Sequence, residues 1–219
     1  DRNMRYKDWI QSRRIDGLII LGVYPKTIFE EISNINIPIV LSDAYEEYAS
    51  EFHRVMLNDE LGGYLATKHL IDLGHKDIAF VSGSIKNSYI NKNRYQGYKR
   101  ALKEANIKLD KDQVYEEHVT FNGGYRIGME MVKSGCKATA VFAAADIMAI
   151  GIMKSFLENG YKIPDDVSIV GFDDIKFAQY TVPGLTTVKQ DIIMKGRVSA
   201  EMILNDLKNN QRTNHSVLL

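Results

Sequence analysis

Cysteine is almost missing from this chain: Cys136 is the only one in 219 residues. An internal disulfide is therefore excluded, and a reducing compartment, the cytoplasm, is the expected location. Long apolar runs are missing as well. None reaches the roughly 18 residues that span a bilayer, and the opening DRNMRYKDWI does not look like a secretory leader. The chain is expected to be soluble and to have no membrane partner. Neither sign of charge is in excess, with Lys+Arg 28 against Asp+Glu 28. That balance argues against a face that holds nucleic acid by neutralising phosphates. Catalytic motifs are missing too: no GxGxxG follows a strand, and there is no GxxxxGK[ST], HExxH or GxSxG. The five histidines, His53, His69, His75, His118 and His215, never stand at metal-ligand spacing. No enzyme, cofactor or metal site is expected. His75, in LGHKDI, reads as a turn or packing residue, and Cys136 as a small filler.

What is present is an alternation. Short β-branched runs near 17–22, 37–42, 77–82, 138–143 and 167–172 alternate with helical patterns near 26–34, 59–73, 94–105, 123–134 and 146–159, and Asp1–Arg14 also reads as a helix. Alternation of this kind builds βαβ units and a parallel sheet. Near-continuous apolar runs such as 17–21 and 138–145 suit strands covered on both faces. The expected fold is α/β, with two doubly wound parallel-sheet lobes and a ligand cleft. The charged, weakly periodic stretch 43–58 reads as a passage between lobes, and a second passage falls near 185–191. An amino-terminal lobe of 1–55 plus 192–214 and a carboxyl-terminal lobe of 56–191 plus 215–219 are expected. The amino lobe shows few strands, so an upstream βαβ piece is expected to be missing from it.

The segment Ile163–Asp191 carries most of the chemistry. A hydrophobic strand ends in Asp173 and Asp174, and a second apolar run returns to Gln190 and Asp191. Ligands of open α/β sheets sit beyond the carboxyl ends of strands, which is where Asp173 lies. Two acids there can equally cap a helix. Adjacent side chains past a strand point apart, which disfavours shared acid/base work by the two carboxylates. Arg94 opens the helix of 94–105, where a cation opposes the dipole. It is either aimed at a hydroxyl-rich or anionic group or solvated over a tyrosine. Asp43 follows the strand of 37–42. Asp43, Arg94 and Asp173 together have the chemistry of a polyol grip. Asp146, at a helix start, reads as a helix amino-end acid.

Six strings resemble the effector-binding core of the lactose/galactose-repressor (LacI/GalR) family of transcription regulators: IDGLIILG at 15–22, IPIVLSD at 37–43, LIDLGHKDIAFVSG at 70–83, NRYQGYKRAL at 93–102, TAVFAAADIMAIGIMKSFLENGYKIPDDVSIVGFDD at 139–174 and PGLTTVKQD at 183–191. Their order and spacing cover nearly the whole chain. The resemblance implies a periplasmic-binding-protein-like type I fold with three crossovers and a cleft for a sugar or related small molecule. It also implies a homodimer, and operator DNA as a partner through a helix-turn-helix headpiece absent from this sequence. The family's effector contacts fall on Asp43, Arg94, Asp173 and Gln190. Two positions depart from the pattern. Ala145 stands where the family has Asn or Ser before Asp146, and Val119 stands where an aromatic platform is common. Phe121, Tyr89 or Phe172 is expected to take over as the platform. The function implied is that of an effector-sensing domain of a repressor-type regulator. The alternatives are a sugar-binding protein of a transport system and, behind it, an enzyme acting on a nucleoside or sugar.

Overall fold

The computed structural model describes residues 6–22, 26–44, 49–135 and 137–219, so Cys136 lies outside the described residues. Two compact units form, one of residues 1–58 and 191–219, the other of residues 59–190. In chain order the first unit contributes α1 (Tyr6–Arg13), β1 (Leu18–Leu21), α2 (Lys26–Ile32), β2 (Ile39–Ser42) and β3 (His53–Met56). The second unit follows with α3 (Asp59–Asp72), β4 (Ile78–Ser82), α4 (Tyr89–Glu104), β5 (Val114–Glu116), α5 (Phe121–Ser134), β6 (Ala140–Ala143), α6 (Asp146–Glu158), β7 (Ser168–Asp173) and β8 (Thr186–Lys189). The chain then returns to the first unit as α7 (Ile192–Asn209) and β9 (Ser216–Leu218).

Both sheets are parallel, in the orders β1-β2-β3-β9 and β5-β4-β6-β7-β8. Every residue of β2, β4 and β6 is buried, as the apolar runs require when helices cover both faces. The period of two sorts the central strands. Phe80 and Phe142 face a core with Leu70, Tyr98 and Leu102, whereas Val81 and Val141 face one with Met131, Met148 and Ile152. The first unit has its own core of Ile10, Phe29, Ile32, Ile39, Leu41 and Phe52.

Three expectations change. Residues 43–58 are not only a passage, since they contain β3, whose HRVM sequence carries no continuous apolar run. Residues 215–219 belong with the first unit: β9 extends its sheet beside β3, with Arg54 opposite Ser216. The Asn58 amide also donates to Leu219 O (3.0 Å). Within residues 1–219 the chain passes between the units at two junctions. Finally, α4 begins at Tyr89, capped by Ser88, which accepts from Asn91 N. Arg94 is thus the sixth helical residue and sits clear of the amino-terminal turn.

Candidate functional site

Glycine sets the position of Arg94. A Cβ on Gly63 would lie 2.2 Å from Arg94 O, and one on Gly97 would lie 2.1 Å from Glu60 O. Only at such bare positions can α3 and α4 approach backbone to backbone. That approach lets Asp59, first residue of α3, meet Arg94: Nε donates to Asp59 Oδ1 (2.8 Å). Arg94 Nη1 donates to Ala144 O (2.5 Å), and the guanidinium carbon sits 3.7 Å from the centre of the Phe172 ring. At 7% exposure Arg94 is not a solvated arginine. Asp59, its main partner, is legible in the sequence only as an acid following Asn58 at a helix start.

Asp173 ends β7, with Lys189 of β8 opposite in register and Gln190 next along the chain. Gln190 Nε2 donates to Asp173 Oδ1 (2.5 Å), and Arg94 Nη1 lies 3.5 Å from the same oxygen. Among the described residues no donor reaches Oδ2. The backbone is strained here, with φ of 119° at Asp173 and 54° at Asp174. Side chains avoid these regions unless the surroundings impose them, and such strain clusters at ligand sites. Burial pushes the Asp173 carboxyl up to about 6; Arg94 opposes the rise, Asp146 and Asp59 add to it, and the Gln190 hydrogen bond opposes it. Arg94, Asp173 and Gln190, singled out separately in the sequence, thus form one hydrogen-bonded cluster at the strand carboxyl ends.

The remaining residues divide. Asp146 is fully buried and accepts from Thr187 Oγ1 (2.6 Å) and Ile175 N (2.9 Å), tying α6 to the β7 and β8 ends. Burial raises its carboxyl above the ordinary range, against those hydrogen bonds. It is more than a helix amino-end acid. Ala145 occupies the N-cap of α6 without a capping hydrogen bond and belongs to the apolar core cluster. Phe172 is 2% exposed and stacked under Arg94, so it offers no free face to a ligand and cannot be the platform. Phe121 and Tyr89, the first residues of α5 and α4, keep about half their surface exposed, as does Val119. Val119 and Asn91 both border Gly83, where a Cβ would lie 2.7 Å from each side chain. Asn91, one turn before Arg94, was not singled out from sequence.

Asp43 stands in the first unit, just past β2, with φ of 63°. Its Oδ2 accepts from Ser42 Oγ (3.0 Å) and Lys195 Nζ (2.7 Å). Lys195, in the first turn of α7, is a further residue that sequence reasoning missed. His75 bonds Thr139 Oγ1 (2.9 Å) and Ser168 Oγ (3.0 Å), at the amino ends of β6 and β7, in keeping with a packing role. Among the described residues no cluster of three His, Cys, Asp or Glu could hold a metal, and no helix is long and apolar enough to cross a membrane.

Residues 67–219 match the periplasmic binding protein-like domain family. The ribose operon repressor of Haemophilus influenzae is 34% identical over 211 residues, 96% of this chain and 63% of the repressor. The HTH-type transcriptional repressor PurR of Vibrio campbellii is 33% identical over 216 residues, with the same shares of 96% and 63%. The chain thus spans less than two thirds of the length of either relative. Among solved structures, the transcriptional regulator CelR in complex with cellobiose superposes with a TM-score of 0.89 at 25% identity, covering 98% of this chain and 66% of that one. A LacI family regulator from Enterococcus faecium with bound ribose gives 0.82 at 32% identity, covering 97% and 80%. With both parallel sheets and the matched family in agreement, this chain belongs to the periplasmic binding protein-like domain family, in the branch represented by the LacI-type regulators.

Proposed function

We propose that this chain is the effector-sensing domain of a LacI-type transcription regulator, taking a sugar or related polyol at the strand carboxyl ends. The observation that carries the reading is Asp173: a strained, partly buried carboxylate with one oxygen held by Gln190 and Arg94 and the other open. Such an oxygen accepts a ligand hydroxyl without reorganising. Arg94 and Gln190 complete the grip in the second unit, and Val119 and Phe121 supply apolar contact. Relatives named as ribose operon and PurR repressors, and neighbours carrying ribose and cellobiose, favour this reading over a transport protein. The domain is not an enzyme. It works in the cytoplasm as a homodimer, and a separate helix-turn-helix headpiece reads the operator. Effector binding changes operator affinity by favouring one arrangement of the protein over another. A coupling of about 1–3 kcal/mol corresponds to roughly 5- to 150-fold.

Calorimetric titration with ribose, cellobiose, other neutral sugars and sugar phosphates tests the reading. Saturable binding by the wild type is expected. Asp173→Ala should lose about 2 kcal/mol of it, roughly 30-fold in Kd, by removing a charged acceptor. Equal affinity in the two proteins would remove Asp173 from the site.

A further inference from the structure

Arg94 stands among acids of the second unit. Asp59 opens α3, is 3% exposed and accepts from Arg94 Nε (2.8 Å). Asp173 ends β7, and its Oδ1 lies 3.5 Å from Arg94 Nη1. Asp146 is fully buried at the start of α6, and its charge, like that of Asp59, reaches Asp173 and raises its carboxyl. Lys189 of β8 does not add a second cation beside Arg94. It alternates with Val188, which packs in the core with Phe172, so Lys189 stands on the other face of the sheet from the Arg94–Phe172 stack. A guanidinium keeps its charge in proteins, and burying it unpaired is strongly unfavourable. Asp59 therefore does two things for Arg94. It anchors Nε, which holds the guanidinium against Phe172 with Nη1 directed to Ala144 O and Asp173. It also offsets the charge, so that a ligand does not meet a free cation.

We propose that Asp59 is a positioning and specificity-determining residue of the effector site: by anchoring Arg94 and offsetting its charge, it makes the site one for neutral, hydroxyl-rich ligands in preference to their phosphates. This rests on the effector reading above. Asp59 acts through Arg94 and requires no contact of its own with the ligand. With Arg94 paired to Asp59, the open atom of the cluster is the second carboxylate oxygen of Asp173. A hydroxyl donates to such an oxygen, whereas a phosphate is repelled by it. Without the Asp59 charge, Arg94 would present an uncompensated guanidinium, the group best suited to binding phosphate.

The test is calorimetry of the 219-residue chain, as wild type, Asp59→Asn, Asp59→Glu, Arg94→Gln and the Asp59→Asn/Arg94→Gln double variant, with thermal melts reporting folding. The probes are ribose, glucose and cellobiose, and the phosphates of ribose and glucose. The wild type should bind a neutral sugar more tightly than its phosphate. Asp59→Asn keeps an acceptor for Nε but removes the charge, and should narrow the ratio of the two affinities by about 10-fold. Asp59→Glu keeps the charge and should keep the wild-type preference, even where its longer side chain weakens binding overall. In the Arg94→Gln background, Asp59→Asn should cost the neutral sugar nothing more, because a residue acting through Arg94 is non-additive with it. If Asp59→Asn does not fold, Asp59→Ser, which keeps an oxygen at the start of α3, takes its place. Equal losses for sugar and phosphate in Asp59→Asn, which a purely structural role would give, would overturn the proposal while leaving the effector reading intact. So would unchanged affinities, additive losses in the double variant, or a wild type that prefers the phosphate. A folded wild type that binds no member of the panel would overturn the effector reading itself, and this inference with it.

Discussion

At the scale of single residues, Asp173 shows how binding and stability oppose each other. Its folded carboxyl titrates near 6, chiefly because of burial, whereas an unfolded aspartate titrates near 3.9. A carboxyl whose folded value is raised binds more protons folded than unfolded between those values. Stability is therefore greatest below about pH 4, falls as pH rises towards 6, and stays reduced above. Asp173→Asn should remove the penalty, making the protein about 1–2 kcal/mol more stable at pH 7.5 and no more stable at pH 3.5, as measured by urea unfolding at both. Binding should run the other way. A hydroxyl donates more strongly to the ionised form, so the Kd for a bound sugar should rise as pH drops below 6. A flat affinity from pH 7.5 to 5 would mean that the ligand does not depend on the ionised carboxylate. The acid itself was plain in the sequence, as the end of a strand. Its strained backbone and doubly loaded Oδ1 were not, because they depend on Gln190 and Arg94, 17 and 79 residues away.

At the scale of elements, the site depends on how closely helices approach. α3 and α4 carry facing glycines, Gly63 and Gly97, and the Asp59–Arg94 pair follows from that closeness. Gly97→Ala should force backbone apart at Glu60, where no side chain can yield. We expect a cost of about 1–3 kcal/mol in chemical denaturation, with weaker sugar binding as Arg94 shifts. Stability and binding both equal to wild type would show that the pair does not depend on the helix crossing. Asp146 does a comparable job for α6, accepting from the β7 and β8 ends instead of capping its own helix. The alternation of strands and helices was legible because buried parallel strands leave apolar runs and amphipathic helices leave a period. β3, β5 and β9 were not: unlike the equally short β2 and β6, which are buried throughout, they are only partly buried and carry no continuous apolar run.

At the scale of the molecule, the second unit exposes several large apolar side chains. Phe177, Tyr180 and Val182 are all largely exposed, Val182 at 85%, and Leu157 of α6 is exposed as well. Val182 and Leu157 line a single groove with Ile150 and Met153. Exposed apolar side chains of this kind suit association, and the groove, lined also by Lys154, Glu158 and Thr181, is where the proposed homodimer is tested. Val182→Glu should shift the chain from dimer to monomer in sedimentation while leaving its melting temperature within a few degrees. An unchanged sedimentation coefficient would place the dimer contact elsewhere.

Sequence alone determined the α/β class, the family resemblance and the identities of the strand-end acids. These rest on local patterns: hydrophobic period, caps and short strings that survive divergence. Tertiary structure decided the rest. It placed 215–219 in the first unit, through pairing with a strand about 160 residues earlier. It withdrew Phe172 from the surface by stacking Arg94 on it. It brought in Asp59 and Lys195, whose importance lies wholly in the partners they meet. Hydrophobic period is written along the chain and can be read there. Hydrogen-bond partners and burial are set by residues distant in sequence, and only the folded chain assigns them.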